Sequence, residues 1–489
     1  MSFKIGWSSC EIIPEQPVFV CGQFPVRVSE GVLDPVTANI LALESDESDS
    51  GGVIMVSCDL VAISEGLRET VRNLATQLLP EIKPENIILN ATHTHTAPDV
   101  YTTEESLTAN PDKSSIPVLV EMERDVIDPE DYVKWVSARI AKAIEQAWNT
   151  RRPGGIGYGF GHAVVGHNRM VSYYSGKSQM YGNVDDPEFS HIEGYEDHSV
   201  NVLYTWDTQH KLTGLVINIP CPSQDDEGLY VLSADYWNDV RIELRKRLGP
   251  DIYILSQASA AGDQSPHLLL NKAAEQRMWK LMGRTHRQDL AMRISDSVTG
   301  ILPYIEKEID WQPVFKHVAE IIDLPRRLLT QQDVDGADAE AGRSREAYQQ
   351  LIAEYRANPE KYQPKEWHAQ ITAQYRLMKW NEGVADRYAL EQKELTIPIE
   401  VHALRIGDIA MGFNQFEYYL DFGTQIKAHS KAVQTFIVQL AGPSSYLPSE
   451  RTIAGSSYGA NAASTLVGPE GGRQLANWTS DTINGMFGG

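Results

Sequence analysis

Three short apolar runs, each ending abruptly in a polar cluster, constrain this chain most. Asn86–Asn90 leads into Ala91-Thr-His-Thr-His-Thr-Ala-Pro98, Leu212–Ile219 into Pro220-Cys-Pro-Ser-Gln224, and Ile252–Ser256 into Ala260-Ala-Gly-Asp-Gln-Ser-Pro-His267. Runs this short and this continuously apolar read as strands buried on both faces, which other elements must cover. Helical patterns supply the cover. Leu67, Val71, Leu74, Ala75 and Leu78 form one apolar stripe that Pro80 ends, and Tyr132–Trp148 carries Val133, Val136, Ile140, Ile144 and Ala147 inward. A third helix is expected at Tyr236–Leu248. The fold class expected is α/β, with α+β as the alternative: a large mixed sheet covered by helices, with ligands gathering at the carboxyl ends of strands.

The rest of the chain extends this plan. Ile40–Leu43 and Val53–Val56 flank the acidic, glycine-ended Glu44–Gly52 and read as a hairpin. Gly157, Gly159 and Gly161 alternate at spacing two, unlike a phosphate-binding GxGxxG, and suit a twisted or edge strand. Residues 328–392 turn charged and rich in Gln, Glu, Ala and Tyr, the pattern of a helical insertion or lid. Strands return at Leu395–Ile406, Ile409–Phe413 and Thr435–Leu440, with a helix at Gln415–His429 between the last two. No internal repeat is visible, and a single domain over 1–489 is expected.

Composition limits the partners. The 489 residues carry a net charge of −23, a field that repels phosphate backbones and anionic membranes. Neither a nucleic-acid partner nor stable membrane association is expected. Four cysteines without a CxxC pair, and a start without a basic stretch and apolar h-region, point to a reducing, cytoplasmic setting.

Two clusters carry chemistry. His93 and His95, one residue apart, would present both imidazoles on one face of an extended segment to a metal or substrate; a backbone-bonded buried pair reads equally well. Gly262-Asp-Gln-Ser-Pro266 places a hydroxyl in a tight loop after a buried strand, which is either an oxyanion-type site or an ordinary turn.

Thr92-His-Thr-His95, Asn168-Arg169, Gly262-Asp-Gln-Ser-Pro266 and Ser444-Ser-Tyr446 occur in an order that resembles the neutral/alkaline non-lysosomal ceramidase family, over about residues 3 to 465. The resemblance implies a zinc amidase. It implies His93 and Tyr446 as Zn2+ ligands, His95 as a substrate or oxyanion donor, and Arg169 as the group polarising the carbonyl. Ser265 would be nucleophile or positioner of water, and Tyr458 the second tyrosine of the site.

Two positions depart from the family pattern. Cys221-Pro222 stands where a strand-terminal His-Pro is expected, and Phe413-Asn-Gln415 where Pro-Gly-Glu is expected. A Cys221 thiolate could restore the negative charge that Gln415 lacks, giving a ligand set of His93, Cys221, Tyr446 and Gln415. Alternatively the site is lost or rebuilt with Asp59, Asp235, Asp263 or Glu417. The expected function is a ceramidase-like hydrolase, zinc-dependent, cleaving an amide or related bond in a small polar substrate rather than membrane ceramide. Ester, lactone or glycoside hydrolysis and a non-catalytic small-molecule-binding role are the alternatives.

Overall fold

The computed structural model describes residues 3–46, 51–101, 126–362 and 368–488. β1 (Phe3–Glu11), β2 (Thr37–Ser45), β3 (Gly52–Cys58), β4 (Ile87–Ala91), β5 (Arg152–His162), β6 (Ser199–Asp207), β7 (Leu212–Ile219) and β8 (Tyr253–Ala258) form an eight-stranded sheet, in the order β8-β7-β6-β5-β1-β2-β3-β4. A second sheet holds β9 (Phe315–Pro325), β10 (Thr396–Ile406), β11 (Ile409–Phe413) and β12 (Gln434–Val438) in chain order. The helices include α1 (Glu65–Leu78), α2 (Pro129–Thr150), α3 (Tyr236–Leu248), α4 (His286–Ile305), α5 (Gln331–Ala357), α6 (Ala369–Glu391), α7 (Leu420–His429) and α8 (Pro469–Phe487). The α/β class expected from the sequence is what the chain adopts.

A topological repeat underlies this order, although no repeat is visible in the residues. An antiparallel hairpin is followed by a helix and a strand parallel to the hairpin's second arm: β2-β3-α1-β4, β6-β7-α3-β8 and β10-β11-α7-β12. A further antiparallel strand precedes each unit, namely β1, β5 and β9. Pairing of β1 with β5 fuses the first two units into the large sheet. The third unit forms the second sheet.

Side-chain alternation stacks these sheets. On β2 and β3, Ile40, Ala42, Ile54 and Val56 face α1 and α2, where they meet Leu67, Val71, Ile140 and Ile144. Their neighbours Leu41, Leu43, Val53 and Met55 face the second sheet and meet Leu404, Met411 and Val438. A strand's period of two thus buries both faces, one under helices and one under strands. The outer face of the second sheet packs Val401, Ala403 and Ile437 against Phe422 of α7 and Leu475 and Ile483 of α8. Four layers result, helices–sheet–sheet–helices.

The glycine-rich β5 is a central strand, not an edge. A Cβ at Gly157 would come within 2.5 Å of Ile305, and one at Gly159 within 2.8 Å of Ile301. Both isoleucines are at the end of α4, so glycine is what allows that helix to lie close on the sheet. Where a helical insertion was expected, α5 and α6 pack on each other, with Tyr348 and Tyr375 rings 5.3 Å apart.

One buried polar chain crosses between the sheets. Arg72 of α1 holds Glu400 through both Nη atoms at 2.9 and 2.6 Å, and Glu400 Oε1 lies 2.9 Å from His402 Nε2. His402 Nδ1 in turn is 3.2 Å from His317 Nε2. Burial, reinforced by His402, depresses His317 from 6.5 to about 3, and burial also lowers His402. A base depressed in the folded state binds protons in the unfolded chain first, so stability falls as pH drops from 6.5 towards about 3. The thermal midpoint of the protein should decline over that window, and less steeply in His317→Gln. Equal slopes would remove the pair as the source.

Candidate active site

The segments that leave the repeated strands converge on one cavity of about 540 Å³. Val61 follows β3, His93 and His95 follow β4, Gln224 follows β7, Glu417 follows β11, and Ser444 to Tyr446 follow β12; all line it. Arg169 and Tyr181 reach it from the segment between β5 and β6, and Arg376 and Trp380 from α6. Phe24, Trp380 and Tyr458 form an aromatic cluster on its wall, with ring centroids 5.4 to 6.3 Å apart.

At the centre, His93 adopts the left-handed backbone, φ 67°, a conformation that a non-glycine residue holds only when its surroundings enforce it. Its Nδ1 lies 2.7 Å from the carbonyl oxygen of Val61 and donates to it. That bond leaves the Nε2 lone pair facing Glu417 Oε2 across 3.4 Å. Glu417 pairs in register with Tyr446 in a short parallel bridge, which sets the Tyr446 phenol beside the Glu417 carboxylate. Burial pushes the Glu417 carboxyl up, but His93, Arg169 and Tyr446 outweigh it and hold it below the usual carboxylate range.

A lone pair and a carboxylate facing each other this closely require a positive partner, either a proton or a cation. Among the described residues no three His, Cys, Asp or Glu side chains form a metal-holding group. The donors that do converge are His93 Nε2, the Glu417 carboxylate and the Tyr446 phenol. That set fits a catalytic zinc with three protein ligands and an open position, and the Nδ1–carbonyl bond is the usual orienting contact for a ligating imidazole.

Beside it runs a polar chain. Arg169 Nη1 donates to Gln224 Oε1 at 3.1 Å, and Gln224 Nε2 lies 2.7 Å from His95 Nε2. Arg169 Nη2 donates to the Gly262 carbonyl at 3.0 Å and to the Tyr446 hydroxyl at 3.5 Å. Burial, together with His93, Arg27 and Arg169, holds the His95 imidazole well below its ordinary pKa of 6.5, so it is neutral near pH 7.

Of the residues expected from the sequence, His93, His95, Arg169, Tyr446 and Tyr458 share this cavity. Ser265, Cys221 and Gln415 do not line it. Ser265 is fully buried behind Tyr181, whose hydroxyl donates to its Oγ at 2.8 Å. Cys221 is buried among apolar side chains of β6, β7 and α3, its Sγ 3.4 Å from the Pro222 carbonyl oxygen, and burial pushes the thiol well up, away from thiolate. Gln415 packs beside Gly442 and Arg68. The expected helix from Gln415 begins only at Leu420; Glu417 and Tyr418 pair as a strand with Tyr446 and Leu447, and that pairing turns the Glu417 carboxylate into the cavity.

The other acidic residues weighed as ligands are committed elsewhere. Asp59 is held by Arg241 through two bonds of 2.7 and 2.8 Å. Asp263 accepts from Leu420 N and Asn168 Nδ2, and burial raises it to about 6. Asp235 caps α3 and is raised by burial to about 7. Gln224, Tyr181, Arg376 and Trp380 were missed, because no spacing or motif marks a lone residue on a distant loop or helix.

No protein-family model matches this sequence, and no curated protein matches it. Among solved structures it is similar to the neutral ceramidase of Pseudomonas aeruginosa, with a TM-score of 0.66 at 14% identity, covering 100% of this chain and 75% of that one. It is also similar to a ceramidase complexed with C2, with a TM-score of 0.66 at 15% identity, covering 99% of this chain and 75% of that one. The chain therefore has the neutral-ceramidase fold over its whole length.

Proposed function

We propose that the cavity is the active site of a ceramidase-like hydrolase that cleaves an amide or related bond in a small polar substrate and depends on zinc. The observation that carries this reading is His93 Nε2 facing the Glu417 carboxylate at 3.4 Å, next to Tyr446 and within reach of the Arg169 guanidinium. His93 Nε2, Glu417 and Tyr446 would hold the ion. When bound, zinc supplies Lewis acidity at the scissile carbonyl and lowers the pKa of water.

The chain's own residues supply the rest. Arg169, fixed by hydrogen bonds to Gly262, Gln224 and Tyr181, is a preorganised cation for the carbonyl oxygen as it gains charge. Neutral His95, oriented by Gln224, contacts the substrate without adding charge. Tyr458, 40% exposed and 5.7 Å from the Tyr446 ring, contributes an apolar surface at the mouth. The cavity volume suits a small molecule. A net charge of −23 disfavours work at an anionic membrane, and no described helix is long and apolar enough to cross one.

The test is elemental analysis of untagged protein, combined with turnover of p-nitrophenyl acetate and p-nitroacetanilide. About one zinc per chain, and turnover lost on chelation and restored by zinc, are expected. Turnover of neither probe by metal-loaded protein would overturn the hydrolase reading in favour of a small-molecule-binding protein. That alternative draws on Gln224, a neutral amide that ties His95 to Arg169 on the cavity wall.

A further inference from the structure

Tyr181 lies on the cavity wall between Arg169 and Ser265, with a strained backbone. Its φ is 54°, a left-handed value that a tyrosine holds only when its surroundings enforce it, and a hydrogen bond from its N–H to the Arg169 carbonyl at 2.8 Å holds it there. The phenol oxygen accepts from Arg169 Nη1 at 3.1 Å and donates to Ser265 Oγ at 2.8 Å. Ser265 Oγ also accepts from the His267 N–H at 3.1 Å. The serine thus accepts two hydrogen bonds, and among the described residues no imidazole or carboxylate takes its proton, which an activated nucleophile requires. What faces the substrate at this wall is the phenol.

We propose that Tyr181 is the general acid of the reaction and that Ser265 is its positioning residue. The inference rests on the hydrolytic reading of the cavity. As water adds to the acyl carbon and the C–N or C–O bond breaks, the bond's electron pair stays on the leaving atom, which takes the phenol proton. The phenolate left behind is met by the Arg169 N–H and by the Ser265 hydroxyl, which turns from accepting to donating across the same contact. The attacking water releases one proton to solvent as it adds, and solvent returns one proton to the phenolate through a second, polar hollow of about 610 Å³ that Tyr181 borders. The sum is one bond cleaved and one water consumed.

Leaving-group dependence tests this. p-Nitrophenolate departs without a proton, whereas p-nitroaniline needs one. Tyr181→Phe should lose about 100-fold or more in kcat on p-nitroacetanilide, the scale of one general acid, and at least tenfold less than that on p-nitrophenyl acetate, where only the Arg169 contact is lost. Zinc content should not change. Ser265→Ala should lose about tenfold on the anilide alone, and keeps the test sharp if Tyr181→Phe does not fold. Equal losses on both probes, or an anilide rate kept in both variants, would overturn the role of Tyr181 and leave the hydrolase reading intact. Wild-type protein inactive on both probes would instead overturn the hydrolase reading, and this inference with it.

Discussion

On the zinc-hydrolase reading, Glu417→Gln should lower turnover by about 10²- to 10³-fold and abolish zinc binding, with little loss of stability. Among the described residues Glu417 is the carboxylate that faces His93 Nε2, at 3.4 Å, and the neighbouring Arg169 and Tyr446 are arranged around its negative charge. An amide at that position is a neutral and poor ligand. It can, however, donate its N–H to the Nε2 lone pair, so the variant should fold with the local hydrogen bonding kept. Zinc per chain, kcat on p-nitrophenyl acetate and the thermal midpoint, measured on the same preparation, separate these effects. Wild-type zinc content and turnover in the variant would show that the carboxylate neither holds an ion nor takes part in the chemistry.

The largest effect on stability is expected at the buried pair joining the first two repeat units. Arg241 of α3 grips Asp59, just after β3, through both Nη atoms at 2.7 and 2.8 Å, and the Asp59 side chain is wholly buried. Asp59 also accepts from Thr37 N and Thr37 Oγ1, both at 2.9 Å. Arg241→Ala strands this carboxylate without its counter-charge and should cost about 3–5 kcal/mol. An exposed pair such as Lys134–Asp131 is worth far less. Urea unfolding should show a lowered midpoint at an unchanged slope. The double variant Asp59→Asn with Arg241→Ala should be less destabilised than the sum of the singles, since the stranded charge is then gone. Additive losses would mean that the two residues act independently.

Much of the secondary structure was legible in the residues, because a strand or helix declares itself through neighbours a few positions apart. The helix Tyr236–Leu248 has the bounds its sequence indicates, and the paired strands flanking the acidic Glu44–Gly52 stretch (47–50 of which lie outside the described residues), the short strand before His93 and the helical segment near 328–392 all form. The topological repeat was not legible, since its units share an order of elements and no residue pattern. Nor was the central place of β5: its glycines mark a close approach, but only the position of α4 shows what approaches.

For the site, the residues alone indicate which chemical groups stand at the carboxyl ends of the strands, and they bring forward His93, His95, Arg169, Tyr446 and Tyr458. Which of these groups face the cavity follows from long-range packing. Gln415 and Glu417 lie two residues apart, and it is the pairing of Glu417–Tyr418 with Tyr446–Leu447, far along the chain, that turns the carboxylate inward. Ser265 follows a buried strand as its motif suggests, but it pairs there with His167 and the strained Tyr181 covers it, and Cys221 packs into the apolar layer beneath α3. Local sequence sets the conformation and chemistry of a segment, whereas the direction of a side chain at the meeting of three repeat units depends on contacts between residues that only folding brings together.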